Sequence, residues 1–249
     1  MYQKERCENI LAVIEENGYV TVKYLIEKLH YSKATINRDL NALEAAGKIK
    51  RSYGGAELAQ TREIPIAFRY EHGKSVKKRI AKRASELVCD GDCIYVDAST
   101  TAQYMGEYLI EKKDVTVITN NMALAAFLSE YGKAVVVLGG RVAEAPYMLA
   151  GNDTVEMAAR YKADKCFFAT RDVTEEGEMS YTDDTYALMH KTMIRNSAQA
   201  VYLVDSDKVD RQGGRVLLGD LSLVDTVISD HKFSNDTKRK FSGVEFVEI

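Results

Sequence analysis

Apolar side chains recur at helical spacing three times near the N-terminus. Ile10, Leu11, Val13 and Ile14 form one stripe, in a helix predicted to end near Asn17-Gly18. Val20 and Thr21 predict a short strand, and Val22, Leu25, Ile26 and Leu29 give a second amphipathic helix. After the turn His30-Tyr31-Ser32, the Ser32 hydroxyl is placed to accept an orphan amide hydrogen bond from the first turn of a third helix. Ile36, Leu40 and Leu43 carry the buried stripe of that helix, and Gly47 ends it. Lys48, Lys50 and Arg51 then alternate with Ile49 and Ser52 before Tyr53-Gly54-Gly55 turns the chain. This predicts a strand and wing with its cations on one side. Two helices across a short turn, followed by a hairpin, make residues 1–57 a winged helix-turn-helix.

The polar stretch 58–65, with Thr61-Arg62-Glu63 and one of the two prolines, opens a linker placed at 58–72. A helix is predicted over 69–87. It turns Val76, Ile80, Ala84 and Leu87 inward and leaves Lys74, Lys77, Lys78, Arg79, Lys82 and Arg83 on a solvated face. Beyond it, apolar runs without alternation at 93–96, 115–118, 135–138, 165–169, 201–204, 226–229 and 244–247 predict strands. Helices are predicted at 101–109, 122–128 and 187–198. Apolar strands separated by helices predict an α/β domain over 73–249, a doubly wound, mostly parallel sheet covered on both faces.

At 249 residues the chain is long enough for two cores. Lys and Arg number 34 against 37 Asp and Glu, a formal charge of −3, so the whole molecule is not drawn to nucleic acid by charge alone. Between Ser32 and Ala56 the balance reverses to +3, from Lys33, Arg38, Lys48, Lys50 and Arg51 against Asp39 and Glu44. A basic patch on a mildly acidic body suits a module that docks on DNA while the rest stays off it. Cys7, Cys89, Cys93 and Cys166 lack metal-ligand spacing, so neither a metal nor a cofactor is expected, and the thiols are expected reduced and mostly buried. Residues 1–6 carry mixed charge without an apolar signal core. The longest uncharged stretch, 115–129, has 15 residues, short of the roughly 18 that span a bilayer. A cytoplasmic protein with no membrane partner is expected.

Two sets of residues carry candidate chemistry. On the third helix Ser32, Lys33, Thr35, Asn37, Arg38 and Asn41 lie off the buried stripe and are groups that bond phosphates and base edges. Arg38 is the foremost base reader, and Lys50 and Arg51 are expected on phosphates. The second set ends the strands, where ligands gather in such folds. These are Asp97-Ala98-Ser99-Thr100-Thr101, Thr119-Asn120-Asn121, Gly139-Gly140-Arg141 and Asp205-Ser206-Asp207-Lys208. Each alone is explained by capping or turning. Together at one sheet edge they suit a small phosphorylated, polyhydroxylated ligand. Ser99, Thr100 and Thr101 would hold its phosphate and Asp97 and Asn120 its hydroxyls, with Gly139 and Gly140 alongside and Lys208 balancing charge.

These motifs resemble the DeoR family of regulators. Ser32, Thr35-Ile36, Arg38-Asp39-Leu40, Leu43-Glu44, Gly47 and Gly54-Gly55-Ala56 follow the family signature in order, and 97–101 resembles its Asp-x-Gly-Thr-Thr phosphate loop. Thr119-Asn120, Leu138-Gly139-Gly140, Gly151 and 205–208 fall on further landmarks. The resemblance implies a transcription factor, commonly a repressor of sugar-metabolism genes. It would join a winged helix-turn-helix to a sensor similar to ribose-5-phosphate isomerase, bind double-stranded operator DNA, be released by a phosphorylated sugar, and form homo-oligomers (dimers or tetramers). It also implies a site lysine, a position that holds His190 here with Lys191 beside it. Three further departures are Asn37 for a second arginine, Ser99 for the loop glycine, and Ala169-Thr170-Arg171-Asp172 for a glycine-rich turn.

The rival reading is a sugar-phosphate isomerase with an appended helical domain. It needs a carboxylate base and donors for an enediolate. Asp97 and Asp205 are acids at strand ends, but no pattern singles out a base, and fold does not transfer activity. A regulator without enzymatic activity is expected.

Overall fold

A computed structural model describes residues 3–17, 19–52, 54–58, 66–144, 148–210 and 214–249. Contacts divide the chain into two units, Met1–His72 and Gly73–Ile249. The first begins α1 (Gln3–Asn17), β1 (Tyr19–Thr21), α2 (Val22–Leu29), α3 (Lys33–Ala45), β2 (Ile49–Ser52) and β3 (Gly55–Leu58). Local chemistry sets the helix starts: Thr21 Oγ1 accepts the Tyr24 amide at 3.0 Å, and Ser32 Oγ accepts that of Thr35 at 3.2 Å. His30, left-handed at φ 57°, donates its amide to Ile26 and closes α2, so α3 starts after a short reversal. Ile36, Leu40 and Leu43 pack with Ile10, Ile14, Val20, Leu25 and Ile49 in one core. The sheet runs β1-β3-β2, antiparallel. Gly55 admits β3 to its centre, because a Cβ there would stand 2.1 Å from the Val20 carbonyl oxygen. Tyr53 of the wing and linker residues 59–65 lie outside the described residues.

The helix expected over 69–87 is two, α4 (Ile66–Glu71) and α5 (Lys74–Glu86), broken where Gly73 takes φ 62°. Lys77 was expected on the solvated face and is instead buried beside Ile80, Ala81 and Ala84.

The second unit continues with β4 (Cys93–Val96), α6 (Thr100–Gln103), α7 (Gly106–Leu109), β5 (Thr116–Thr119), α8 (Met122–Glu130), β6 (Ala134–Val137), β7 (Arg141–Glu144), β8 (Met148–Ala150), α9 (Asn152–Ala158) and β9 (Ala163–Phe168). β10 (Asp172–Val173), β11 (Glu178–Tyr181), α10 (Asp184–Arg195), β12 (Ser197–Val204), β13 (Val216–Asp220), β14 (Thr226–Ser229), α11 (Asn235–Lys240) and β15 (Glu245–Glu248) complete it.

Among the described residues the main sheet has seven strands in the order β15-β14-β12-β9-β4-β5-β6, every pair parallel. These are the seven apolar runs of the sequence, their bounds moved by a few residues. The expected helix at 101–109 is two single turns, α6 and α7, parted at Tyr104-Met105. The β7–β8 hairpin, the antiparallel sheet β10-β11-β13, α9 and α11 were not expected. The hairpin and small-sheet strands are short and partly polar, so no apolar run marks them.

Cys166 alone of the four free cysteines is fully buried, against the expectation that most would be. Burial pushes its thiol up to about 12, which keeps it protonated and inert. Among the described residues no helix is long and apolar enough to cross a membrane, and no three His, Cys, Asp or Glu cluster as metal ligands.

Leu40 is fully buried at the centre of the N-terminal core. Leu40→Ala is expected to destabilise the N-terminal unit by about 2–5 kcal/mol, read as an earlier transition in chemical denaturation of the full chain.

Candidate functional site

The orientation of α3 is fixed by a carboxylate. Asp39 is fully buried, and Arg6 of α1 closes on it through two nitrogens, Nε to Oδ2 at 2.8 Å and Nη2 to Oδ1 at 3.0 Å. With Asp39, Ile36, Leu40 and Leu43 inward, Arg38 must point out. It is exposed and has no hydrogen bond or ion pair among the described residues. Ser32, Lys33, Asn41 and Lys50 are exposed too, while Thr35, Asn37 and Arg51 are half-buried. Thr35 Oγ1 lies 2.9 Å from Ser32 Oγ, within the cap.

The wing corrects the expectation of cations on one side. Successive strand residues face opposite ways. Ile49 enters the core, so Lys50 faces outward and Arg51 turns toward α3. There the Arg51 amide donates to Glu44 Oε1 at 3.0 Å, and its guanidinium donates to Asn37 Oδ1 at 2.7 Å and to Asn41 Oδ1. Asn37 Nδ2 donates in turn to the Lys33 carbonyl at 2.8 Å.

In the second unit the carboxyl ends of β12, β9, β4 and β5 stand side by side. Asp97, just past β4, is buried. Its Oδ1 accepts the Ser99 amide at 3.0 Å, and its Oδ2 accepts the Ala169 amide at 3.1 Å and meets His190 Nε2 at 3.0 Å. His190 Nδ1 lies 2.8 Å from the Tyr186 carbonyl, which can only accept, so this nitrogen donates. The contact with Asp97 therefore needs a proton between Nε2 and Oδ2. Tyr181 stacks on the imidazole at 5.1 Å, and Phe168 lies 5.3 Å away. Burial raises the Tyr181 hydroxyl well above its ordinary range, and it donates to the Ala169 carbonyl at 3.1 Å.

Some of the other predicted site residues are engaged within the fold, and some carry buried atoms without a partner among the described residues. Ser99 Oγ is taken by the Ala102 amide as the cap of α6, at 3.1 Å. Thr100 is buried. Gly139 donates its amide to Met157 Sδ and accepts Thr154 Oγ1 at 2.6 Å; a Cβ on Gly140 would meet Thr154 Oγ1 at 2.1 Å. The glycine pair thus serves the packing of α9. Asn120 Nδ2 donates to the Leu149 carbonyl at 2.9 Å. Thr101 Oγ1, Asn120 Oδ1 and Asp205 Oδ2, all buried, have no hydrogen-bond partner among the described residues. Lys208 is half-buried in the turn after Asp205. Lys191 is exposed, one residue round α10 from the buried His190, and does not join it at Asp97.

Sequence reasoning missed Tyr181, Tyr186 and Tyr202, and marked Thr170 and Asp172 only as part of the departing turn at 169–172. Thr170 Oγ1 contacts the Tyr202 hydroxyl, Ser180 Oγ donates to Asp172 Oδ1, and Asp172 Oδ2 is buried without a partner among the described residues.

Residues 6–62 match the DeoR-like helix-turn-helix domain family, and residues 73–231 match the DeoR C terminal sensor domain family. The lactose phosphotransferase system repressor of Lactococcus lactis subsp. lactis is 30% identical, over 97% of this chain and 96% of its own. The glycerol-3-phosphate regulon repressor of Escherichia coli (strain K12) is 26% identical, over 92% of each chain. Among solved structures, ribose 5-phosphate isomerase A of Methanocaldococcus jannaschii covers 55% of this chain and 54% of its own, with 21% identity and a TM-score of 0.41.

A double-mutant cycle of Asp97→Asn and His190→Gln tests the buried pair. The coupling energy from denaturation of the four proteins is expected at about 1.5–3 kcal/mol, the range of hydrogen bonds to charged groups. Additive effects would show that the two side chains act independently.

Proposed function

The chain belongs to the DeoR family of regulators, and on that premise we propose that it is an operator-binding repressor of carbohydrate-metabolism genes, released by a phosphorylated sugar. It is a regulator and not an isomerase, as its relatives are transcriptional repressors. The reading of α3 as recognition helix rests on one observation above all. An exposed Arg38 without a partner among the described residues follows from a neighbour, Asp39, that is wholly buried and wholly paired. A guanidinium held there is suited to the O6 and N7 acceptors of guanine in the major groove. Lys33 and Lys50 serve phosphates, and Ser32 and Thr35 the entry of the helix. A homo-oligomer presents two such heads to successive major grooves, about 34–36 Å apart or a multiple of that.

The sensing half rests on the orphaned oxygens of Thr101, Asn120 and Asp205. Buried polar atoms are costly unless a partner arrives, and the hydroxyls of a sugar would satisfy them. The 97–101 loop takes the phosphate, and Lys208 balances its charge. The residues between about 58 and 72 serve as the linker through which ligand biases the DNA-binding heads. A 100-fold preference of ligand for one arrangement supplies about 2.7 kcal/mol of that bias.

Arg38→Ala is expected to weaken operator binding and relax discrimination at one base by about 1–3 kcal/mol. Lys50→Ala is expected to weaken all sequences alike and flatten the salt slope by about one. Mobility titrations at several salt concentrations read both; unchanged affinity in both variants discards the groove reading. Thr101→Val should move two quantities in opposite directions. The ligand-free protein keeps or gains stability, since the hydroxyl it loses has no partner among the described residues. Affinity for the sugar phosphate that a calorimetric panel identifies falls by about 0.5–1.5 kcal/mol. A panel without any binder removes the sensing half and leaves the DNA half standing.

A further inference from the structure

The Arg51 contacts on α3 do more than attach the wing. Asn37, Asn41 and Glu44 follow one another at i, i+4 and i+7, a single stripe along the helix. Arg51 bonds all three: its main-chain amide reaches Glu44 Oε1, Nη2 reaches Asn37 Oδ1 and Nη1 reaches Asn41 Oδ1. A guanidinium carries donors only, so the amide atom turned toward it must be oxygen in both asparagines. Asn37 is then fully committed in direction, its Nδ2 bonded back to the Lys33 carbonyl. Asn41 is exposed, with its oxygen on Arg51 and its Nδ2 turned away from it. Ahead of Glu44, an exposed acceptor at the far end of the stripe, what the helix offers outward along this face is the Asn41 NH2, the Arg38 guanidinium and the Lys33 ammonium. These three groups are donors.

The base edges of the major groove respond differently to such a face. Guanine presents two acceptors, O6 and N7, whereas adenine presents an acceptor at N7 and a donor at N6. An asparagine free to turn reads adenine with both amide atoms. To lay both on adenine, Asn41 would have to leave Arg51. We propose that Arg51 is a positioning residue for operator recognition: it holds the acceptor oxygens of Asn37 and Asn41 away from the DNA, so that Asn41 selects guanine over adenine. This rests on the reading of α3 as the recognition helix, and it gives Arg51 a role in specificity where a phosphate contact alone would carry none.

The experiment is selection of bound duplexes from a random pool by the full-length protein, in four forms: wild type, Arg51→Ala, Arg51→Lys and Asn41→Ala. Thermal melting shows which variants are folded. The wild type is expected to enrich guanine at one defined position of each half-site. Arg51→Lys keeps the charge but lacks the fork that spans two amides. In both Arg51 variants the adenine-to-guanine ratio at that position is expected to rise fivefold or more, with other positions unchanged. Asn41→Ala, with Arg51 intact, is expected to lose the guanine preference there.

A plain phosphate clamp behaves otherwise. Arg51→Ala then weakens every sequence alike and lowers the salt slope by about one, Arg51→Lys restores affinity, and the base profile stays that of the wild type. That outcome overturns the proposal, as does an Asn41→Ala profile that keeps its guanine. Should the wild type enrich no motif, the recognition-helix reading itself fails and takes this proposal with it.

Discussion

A single carboxylate sets the rotation of the helix on which the N-terminal unit turns. Asp39 has no solvent exposure, and both its oxygens are closed by Arg6 from α1. An unpaired buried charge is among the most expensive features a fold can contain, so α3 has little freedom to roll about its axis. Ile36, Leu40 and Leu43 push the same way by burying their apolar surface. The two effects share one consequence: the face carrying Arg38 and Asn41 is presented outward. Arg51 then works from the other flank, tying β2 to the stripe of Asn37, Asn41 and Glu44. The outward face of α3 is thus held on two sides by the charged groups of Arg6 and Arg51.

The second unit follows a different logic. Its parallel sheet is built mostly from apolar strand residues, and the buried Asp97, Asn120 and Asp205 follow the carboxyl ends of β4, β5 and β12. Asp97 at the end of β4 is satisfied by two backbone amides and by His190, from α10. The imidazole stacks on Tyr181, lies near Phe168 and is oriented by the Tyr186 carbonyl. Near the carboxyl ends of strands of the same sheet, Thr101 Oγ1, Asn120 Oδ1 and Asp205 Oδ2 have no hydrogen-bond partner among the described residues. Part of the strand-end edge is therefore satisfied internally, and part keeps buried oxygens without a partner among the described residues.

Much of this was legible in the sequence, for identifiable reasons. The α3 helix announced itself through the Ser32 cap, the Ile36-Leu40-Leu43 stripe and Gly47, all local features. The seven strands of the main sheet were visible because parallel strands buried on both faces read as unbroken apolar runs. The 69–87 stretch was misread because charged residues keep helical spacing straight across Gly73, whose left-handed backbone no pattern of side chains reveals. Lys77 was misplaced for another reason, since its charge suggested solvent. The opposite facing of Lys50 and Arg51 was available from strand period alone and was overlooked. Other features were beyond reach: His190 and Asp97 lie 93 positions apart, and only the winding of the sheet brings them together. The small sheet β10-β11-β13 joins segments too short and too polar to stand out.

The central claim is that α3 enters the major groove and touches base edges there. Dimethyl sulfate protection reports it directly, because the reagent methylates guanine N7 in that groove. On a duplex selected by the protein, the account predicts guanine N7 protection in two patches separated by about one helical turn or a multiple of it, 34–36 Å per turn, with the intervening minor groove open. Full binding with every guanine N7 still reactive would contradict it.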